Sequence, residues 1–398
     1  MSDSRSRARV LVGFADALAA PEVVWSLVDD GWQVSAFTRR GEKTALRRLV
    51  DVELVKVTAP ESDANQCAAD LRDLVERGDF AAAMPLDDAS VWLFETARLA
   101  EVVPVAGPVG GNAGLALLKQ MQLERAQQAG FRIPATTHFE TASEALTHDS
   151  FPCMVKPARA VQLAGRRLTR GGTHICADRD ELARALSSLD GPVLVQQLLT
   201  GVGEGISGVA DGGRAEAFTG HRRIRMMNPE GSGSSACVWV TPKPEEQAAA
   251  ERLLQEADWS GLFMVELLRD RSGDAWFIEF NGRAWGSMAL ARRAGLEFPA
   301  AAARIAVGEP ANLAAPSATA PIVCRHLGRE LVHLLLVLRG RRSAAAPQPS
   351  SRMRQIAQLL RIRRSDRWYN WRRGCLLFFL EDTWRTVAAV LPRRAARG

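Results

Sequence analysis

Lysine is nearly absent from this sequence: five residues (Lys43, Lys56, Lys119, Lys156 and Lys243) stand against 46 arginines. A compositional pressure toward arginine accounts for the skew, so each lysine that persists raises a chemical question. The six cysteines are scattered without a C-x-x-C pair, and the six histidines show no metal-ligand spacing. Ordinary buried thiols are expected ahead of a zinc site or a disulfide framework, and any metal chemistry must come from carboxylates. No G-x-x-x-x-G-K-[ST] occurs, which removes a P-loop. The first strand runs into GFADALAAP, whose single glycine does not make a dinucleotide-binding turn. GEGISG (Gly203–Gly208) fits G-x-G-x-x-G, but a strand and an Asp-Gly-Gly turn follow it, so no helix N-terminus is there for a phosphate. Nothing resembles a secretory signal, and a reducing cytoplasmic setting is expected.

What is present divides unevenly. From Arg325 onward there are 17 arginines against 4 acidic residues, whereas the remainder holds 34 basic and 41 acidic residues. The body is mildly acidic and the tail strongly basic. From Arg9 to Val105 apolar strands (ARVLVGF, WQVSAFTRR, FAAAMPL, VVPVAGP) alternate with amphipathic helices, the pattern of a doubly wound parallel α/β sheet. Asp87-Asp88, at the carboxyl end of one strand, reads equally as a ligand-crevice pair or as a helix cap. A helix over LALLKQMQLERAQQAG, the strand FPCMVKPA, a basic loop and the strand THICA follow. VLVQQLL then opens a block of antiparallel hairpins typical of an α+β unit.

The second hairpin carries the strongest chemical signal. Strict alternation along Trp276–Asn281 puts Phe277, Glu279 and Asn281 on one face, with Glu266 able to join them from the partner strand. Two carboxylates and an amide oxygen suit Mg2+, a hard cation that shares its shell with phosphate. Acidic residues on the wet face of a hairpin are the bland alternative. Lys156 ends an apolar strand before Pro157, where a compact ammonium could meet phosphate oxygens. Lys119 is either a second phosphate contact or a solvated helix residue.

In this order (Lys119, then GFRIPAT, then Lys156-Pro157, then VLVQQLL and GVGEG, then Glu266 and EFNGR at Glu279–Arg283) the chain resembles the ATP-grasp superfamily over roughly Arg9 to Pro310. The carbamoyl-phosphate-synthase-like and carboxylate–amine ligase branches are the most similar. The resemblance implies a Rossmann-like pre-ATP-grasp domain (1–106), a small subdomain (107–190), a large subdomain with the metal site (191–312) and a basic helical extension (313–398). It implies ATP and Mg2+, with Mn2+ as a substitute, and an ADP-forming ligase acting on a carboxylate and an amine. Lys119 and Lys156 would hold phosphates, Gln196, Gln197 and Leu198 the adenine edge, Glu204 the ribose, and Phe277 the base. Glu266, Glu279 and Asn281 would hold the metal, Arg283 would contact the transferring phosphate, and Arg222, Arg223 and Arg225 are candidates for a substrate carboxylate. Bicarbonate activation and a non-catalytic ATP-binding scaffold are the alternatives. The segment Ala158–Arg170, where the family carries a glycine-rich lid, is arginine-rich here.

The tail from Arg325 lies outside the resemblance. Its apolar runs ELVHLLLVL and GCLLFFLEDTWRTVAAVL are too short or too charged to span a bilayer. They read as a helical cap on the body or as an interfacial basic surface touching anionic lipid or a partner at the inner face of the membrane. Nucleic acid binding has only Trp368, Tyr369 and Trp371 in its favour.

Overall fold

A run of apolar residues after Arg9 makes β1 (Arg9–Gly13) a strand with no wet face, as a central parallel strand must be. In a computed structural model describing residues 8–229, 232–315, 322–340, 352–363 and 366–391, β1 lies between β2 (Gln33–Arg39) and β4 (Phe80–Pro85). β3 (Val52–Val57) flanks β2, and all pairings are parallel. Helices α1 (Ala20–Asp29), α2 (Ala64–Arg77) and α3 (Asp88–Thr96) make the crossovers. Asp63 caps α2, and Asp87 caps α3 in a reciprocal box with Ser90. The strand expected over VVPVAGP shrinks to one bridge, Ala83 to Val105, because Pro104 and Pro108 have no amide to donate.

The single helix expected next is two, α4 (Gly111–Leu117) and α5 (Lys119–Gln128). Leu118 between them is extended and bridges Arg159, while the Lys119 amide donates to the Ala158 carbonyl at 2.9 Å. Lys119 is therefore the first residue of α5 and not a mid-helix residue.

The small sheet contains β5 (Thr136–Phe139) and β6 (Cys153–Pro157). After a short hairpin of β7 (Gln162–Ala164) and β8 (Arg167–Thr169), β9 (His174–Cys176) and β10 (Val193–Gln197) complete it in the order β5-β10-β6-β9. Helices α6 (Ala142–Ala145) and α7 (Arg179–Leu186) cover it, burying Ala145, Leu182 and Ala185 against Val155, Val193 and Val195. The boundary expected after residue 190 thus moves past Gln197, since β10 fills the middle of this sheet.

The large sheet takes β11 (Val202–Asp211), β12 (Arg214–Asn228), β13 (Ser232–Val240), β14 (Gly261–Arg269), β15 (Ala275–Asn281), β16 (Val323–Arg325) and β17 (Asp366–Trp368), ordered β15-β14-β11-β12-β13-β16-β17. The extension expected to be helical therefore adds two strands to this sheet. α8 (Pro244–Glu256) packs with α4 and α5 on one face, against Phe263, Val265, Leu267, Phe277 and Phe280. α9 (Met288–Arg293) and α10 (Phe298–Ala306) join α1 on the other, against Val209, Leu262 and Met264. Beyond them lie α11 (Leu327–Arg339), α12 (Arg352–Leu360) and α13 (Leu376–Ala388). α13 is docked on the first unit: Phe378 meets Trp25 edge-on at 5.5 Å, and Glu381 pairs with Arg47 and Arg48. All six thiols are free, although the sheets set Cys153 opposite Cys176 and Cys237 opposite Cys324.

Candidate active site

Glu266 on β14 and Glu279 on β15 are directly opposed, and Asn281 follows two residues later opposite Met264. The three side chains share one face of the large sheet. Asn281 is 4% exposed and its amide nitrogen has no hydrogen-bond partner among the described residues. Burial would raise the Glu266 carboxyl, but Arg223, donating at 2.7 Å, holds it below the usual carboxylate range. Among the described residues no three His, Cys, Asp or Glu side chains gather as a metal site. The donor set here is two carboxylates and one amide oxygen, the hard-oxygen chemistry that fits Mg2+ with phosphate completing the shell.

Phe277 does not belong to this face. A bulge on β15 lets Glu279 face Glu266 while Phe277 faces Leu267, so the alternation breaks at Ile278. Phe277 is fully buried beside Phe131, at a ring separation of 5.7 Å, within the core under α4 and α5. The expectation that it packs on a base is corrected accordingly.

Register also sorts the arginines. His221 and Arg223 of β12 stand on the Glu266 face, opposite Gly205 and Cys237 respectively. The GEGISG run acquires a meaning here: a Cβ on Gly203 would come within 2.6 Å of the Arg223 side chain, and one on Gly205 within 2.3 Å of the His221 ring. Those glycines clear room for two polar side chains. Burial pushes His221 down to about 4, with Arg223 adding to the effect, so the ring is neutral at pH 7 and meets the Ser287 hydroxyl at 3.2 Å. Arg222 points the other way and donates to Glu204 at 2.7 Å, while Arg269 donates to the second oxygen of Glu204 at 2.8 Å. Glu204 is thus on the face opposite Glu266, committed to two guanidinium groups, and the ribose contact expected of it is corrected. Arg225 is drawn into a buried ion pair with Glu330 of α11, so neither Arg222 nor Arg225 faces the carboxylates.

Lys156 reaches this space from the small sheet. It is 5% exposed and donates to the Gln196 side-chain oxygen at 3.2 Å, and the Gln196 amide in turn donates to Thr136. Burial pulls the Lys156 ammonium down to about 8; Lys119 adds to this, and Glu279 and Glu266 oppose it. Groups of both sheets are therefore within electrostatic reach of one another. Gln197 is exposed and Leu198 half-buried just beyond β10.

Arg283, immediately past β15, donates through Nε to Asp88 at 2.7 Å. Asp88 also accepts from Arg170 at the end of the β7–β8 hairpin. Burial would raise Asp88, yet Arg283, Arg170 and Lys119 keep it below the usual range. Of the acidic pair, Asp87 is the helix cap and Asp88 serves the site. The β7–β8 hairpin is docked on the first unit. The Leu168 amide donates to the Pro60 carbonyl at 2.8 Å, the Ala64 amide to the Arg166 carbonyl at 2.7 Å, and Arg166 pairs with Asp63. Sequence reasoning missed His221, Ser287 and Arg170. The alternation in GHRRIR, which groups His221 with Arg223, was the available signal for the first.

This arrangement of three larger sheets and the β7–β8 hairpin is the ATP-grasp fold. An L-amino acid ligase from Bacillus licheniformis superposes with a TM-score of 0.60 at 19% identity, over 76% of this chain and 75% of that one. An N5-carboxyaminoimidazole ribonucleotide synthetase solved with ADP gives 0.62 at 11% identity, over 88% and 95%. The biotin carboxylase domain of the Hydrogenobacter thermophilus 2-oxoglutarate carboxylase, solved with MgADP and bicarbonate, gives 0.61 at 18% identity, over 79% and 73%. No family model matches the sequence, and no curated protein matches it.

Proposed function

We propose that the chain is an ADP-forming carboxylate–amine ligase. The observation that carries this reading is the meeting of Glu266, Glu279 and Asn281 of one sheet with the buried Lys156 of another, beside Arg283 and Lys119. A carboxylate oxygen of the substrate attacks the γ-phosphorus of ATP, the bond to ADP breaks, and an acyl phosphate forms. An amine then attacks the acyl carbon and inorganic phosphate leaves. The protein's part is positioning and charge neutralisation. Glu266, Glu279 and Asn281 would hold Mg2+, which would offset the negative charge of the phosphates. Lys156, Lys119 and Arg283 would meet phosphate oxygens. Arg223, the one arginine of its motif on this face and with an unpartnered buried Nε, would orient the substrate carboxylate.

The likeness to an L-amino acid ligase supports an amine acceptor, and the likeness to a biotin carboxylase solved with bicarbonate supports bicarbonate as a second acid. The test is phosphate release from Mg-ATP with carboxylates and amines supplied separately and together. Release that needs one particular acid and one amine establishes the ligase. Release with bicarbonate alone favours the second reading. Failure to bind Mg-ATP defeats both.

A pH effect follows from Lys156. Its charged form is the one that pairs with phosphate, and that form is lost as pH rises through about 8. KM for ATP should therefore climb above that point, by roughly tenfold per pH unit at the limit. Lys156→Arg should flatten the profile, since its guanidinium stays charged. A KM unchanged across this range in the wild type would refute the assignment.

A further inference from the structure

The outer face of the C-terminal helices is built differently from the rest of the surface. Of the twenty exposed large apolar side chains among the described residues, thirteen lie between Leu331 and Leu391. On α13, Leu377, Leu380 and Trp384 are 66, 53 and 64% exposed and recur at helical spacing, while Phe378 and Thr383 turn inward. On α11, Leu331, Leu335 and Leu338 make a second stripe. The two helices touch closely at Gly328, where a Cβ would lie 2.8 Å from Thr386, so the stripes belong to neighbouring elements.

Within the segment from Arg325 the uncommitted charge is of one sign. The four acidic residues beyond Arg325 are already committed: Glu330 to Arg225 and Arg325, Asp366 to Arg325, Glu381 to Arg47, Arg48 and Arg385, and Asp382 to Asn370. Arg339, Arg361, Arg363 and Arg373 are exposed and form no ion pair among the described residues. The stretches 341–351 and 392–398, outside the described residues, hold arginine, alanine, proline, serine, glutamine and glycine. They have no large apolar side chain with which to cover the stripes, and they add five more positive charges. A two-fold contact with a second copy would bring arginine rim against arginine rim.

We propose that this face docks on an anionic lipid surface, with Leu377, Leu380 and Trp384 entering the headgroup boundary and the arginines meeting lipid phosphates. No helix of the described residues is long and apolar enough to cross a membrane, so the contact is one of lying on the bilayer and not of spanning it. It stands apart from the catalytic reading, because none of these residues belongs to the site.

The test is co-sedimentation of the full chain with vesicles of phosphatidylcholine alone and of phosphatidylcholine mixed with phosphatidylglycerol. Each basic group near an anionic surface multiplies partitioning about fivefold, so the mixed vesicles should bind at least roughly tenfold more protein, and high salt should release most of it. Leu380→Glu combined with Trp384→Glu should lower binding at least tenfold with unchanged circular dichroism and melting, since both side chains are mostly in solvent. Arg373→Glu should weaken binding to the mixed vesicles selectively and serves if the first variant misfolds. Several results would overturn the proposal: equal binding to both vesicle types, binding to neither, no effect of the substitutions, or a loss of self-association or of nucleic acid binding in the variants in place of a loss of vesicle binding.

Discussion

Replacing Glu279 and Asn281 together by alanine should lower Mg-dependent ATP turnover on the order of a thousandfold without destabilising the fold. The first half rests on the cost of removing preorganised groups that stabilise charge on a transferring phosphoryl. The second half rests on what the two side chains do in the absence of ligand. Glu279 opposes Glu266 on the neighbouring strand, an unfavourable like-charge pair across a ladder that offsets its attraction to Lys156, Arg283 and Arg223. Asn281 is buried with an amide nitrogen that has no partner among the described residues, so its removal relieves a desolvation cost. Urea unfolding of the variant should therefore show a midpoint close to that of the wild type. Activity lost while stability is kept is the signature of a binding site. A merely structural carboxylate and amide would give the reverse, a lower midpoint with turnover intact, and that outcome would end the metal assignment.

Asp88→Asn should be costly in both respects. Its carboxylate sits between Arg283, whose side chain is 15% exposed, and Arg170, whose side chain is 62% exposed. Losing the charge leaves Arg283 buried and uncompensated, at about 3–5 kcal/mol. The Arg170 contact is largely screened by solvent and contributes roughly 0–1 kcal/mol, so Arg170→Ala should barely shift the unfolding midpoint. Turnover should fall in Asp88→Asn because Arg283 loses its orientation. The acid limb should change as well. Asp88 is held below its ordinary value of 3.8, so its stabilisation is present above that pH and lost as pH falls through the lower, folded value. Asp88→Asn should remove that part of the acid sensitivity. A variant as stable as the wild type, with an unchanged acid limb, would show that Asp88 does not hold Arg283.

The order of chemical residues was legible in the sequence because each lies at the end of an apolar strand or helix that hydropathy marks. Glu266, Glu279 and Asn281 come together as alternation implied, and Lys156 arrives at the end of its strand. Phe277 was misplaced because a bulge inserts a single residue, which leaves the apolar pattern almost unchanged while reversing one side of it. β10 was assigned to the wrong sheet because pairing partners are non-local: VLVQQ is equally suited to either sheet, and the burial of Val193 and Val195 under α7 decides. The Arg283–Asp88 pair spans nearly two hundred residues and leaves no local trace. The three arginines of GHRRIR looked equivalent, although alternation already divides Arg222 from Arg223.

The placement of β10 also fixes how the two ATP-grasp sheets can move. Residues 198–201 alone connect β10 to β11, and four residues extend to no more than about 14 Å. On the other side the stretch that leads into β5 is joined to the large sheet where the Phe277 amide donates to the Arg132 carbonyl at 2.8 Å. The Lys119 amide on the Ala158 carbonyl and the Ala160 amide on the Leu117 carbonyl add a third tie, so the small sheet is held along its border with the body and rotation about that border is its soft motion. The cleft between Lys156 and Glu279 would then open like a door and not like a drawer, and the grip of the β7–β8 hairpin on residues 60–64 would act as its latch.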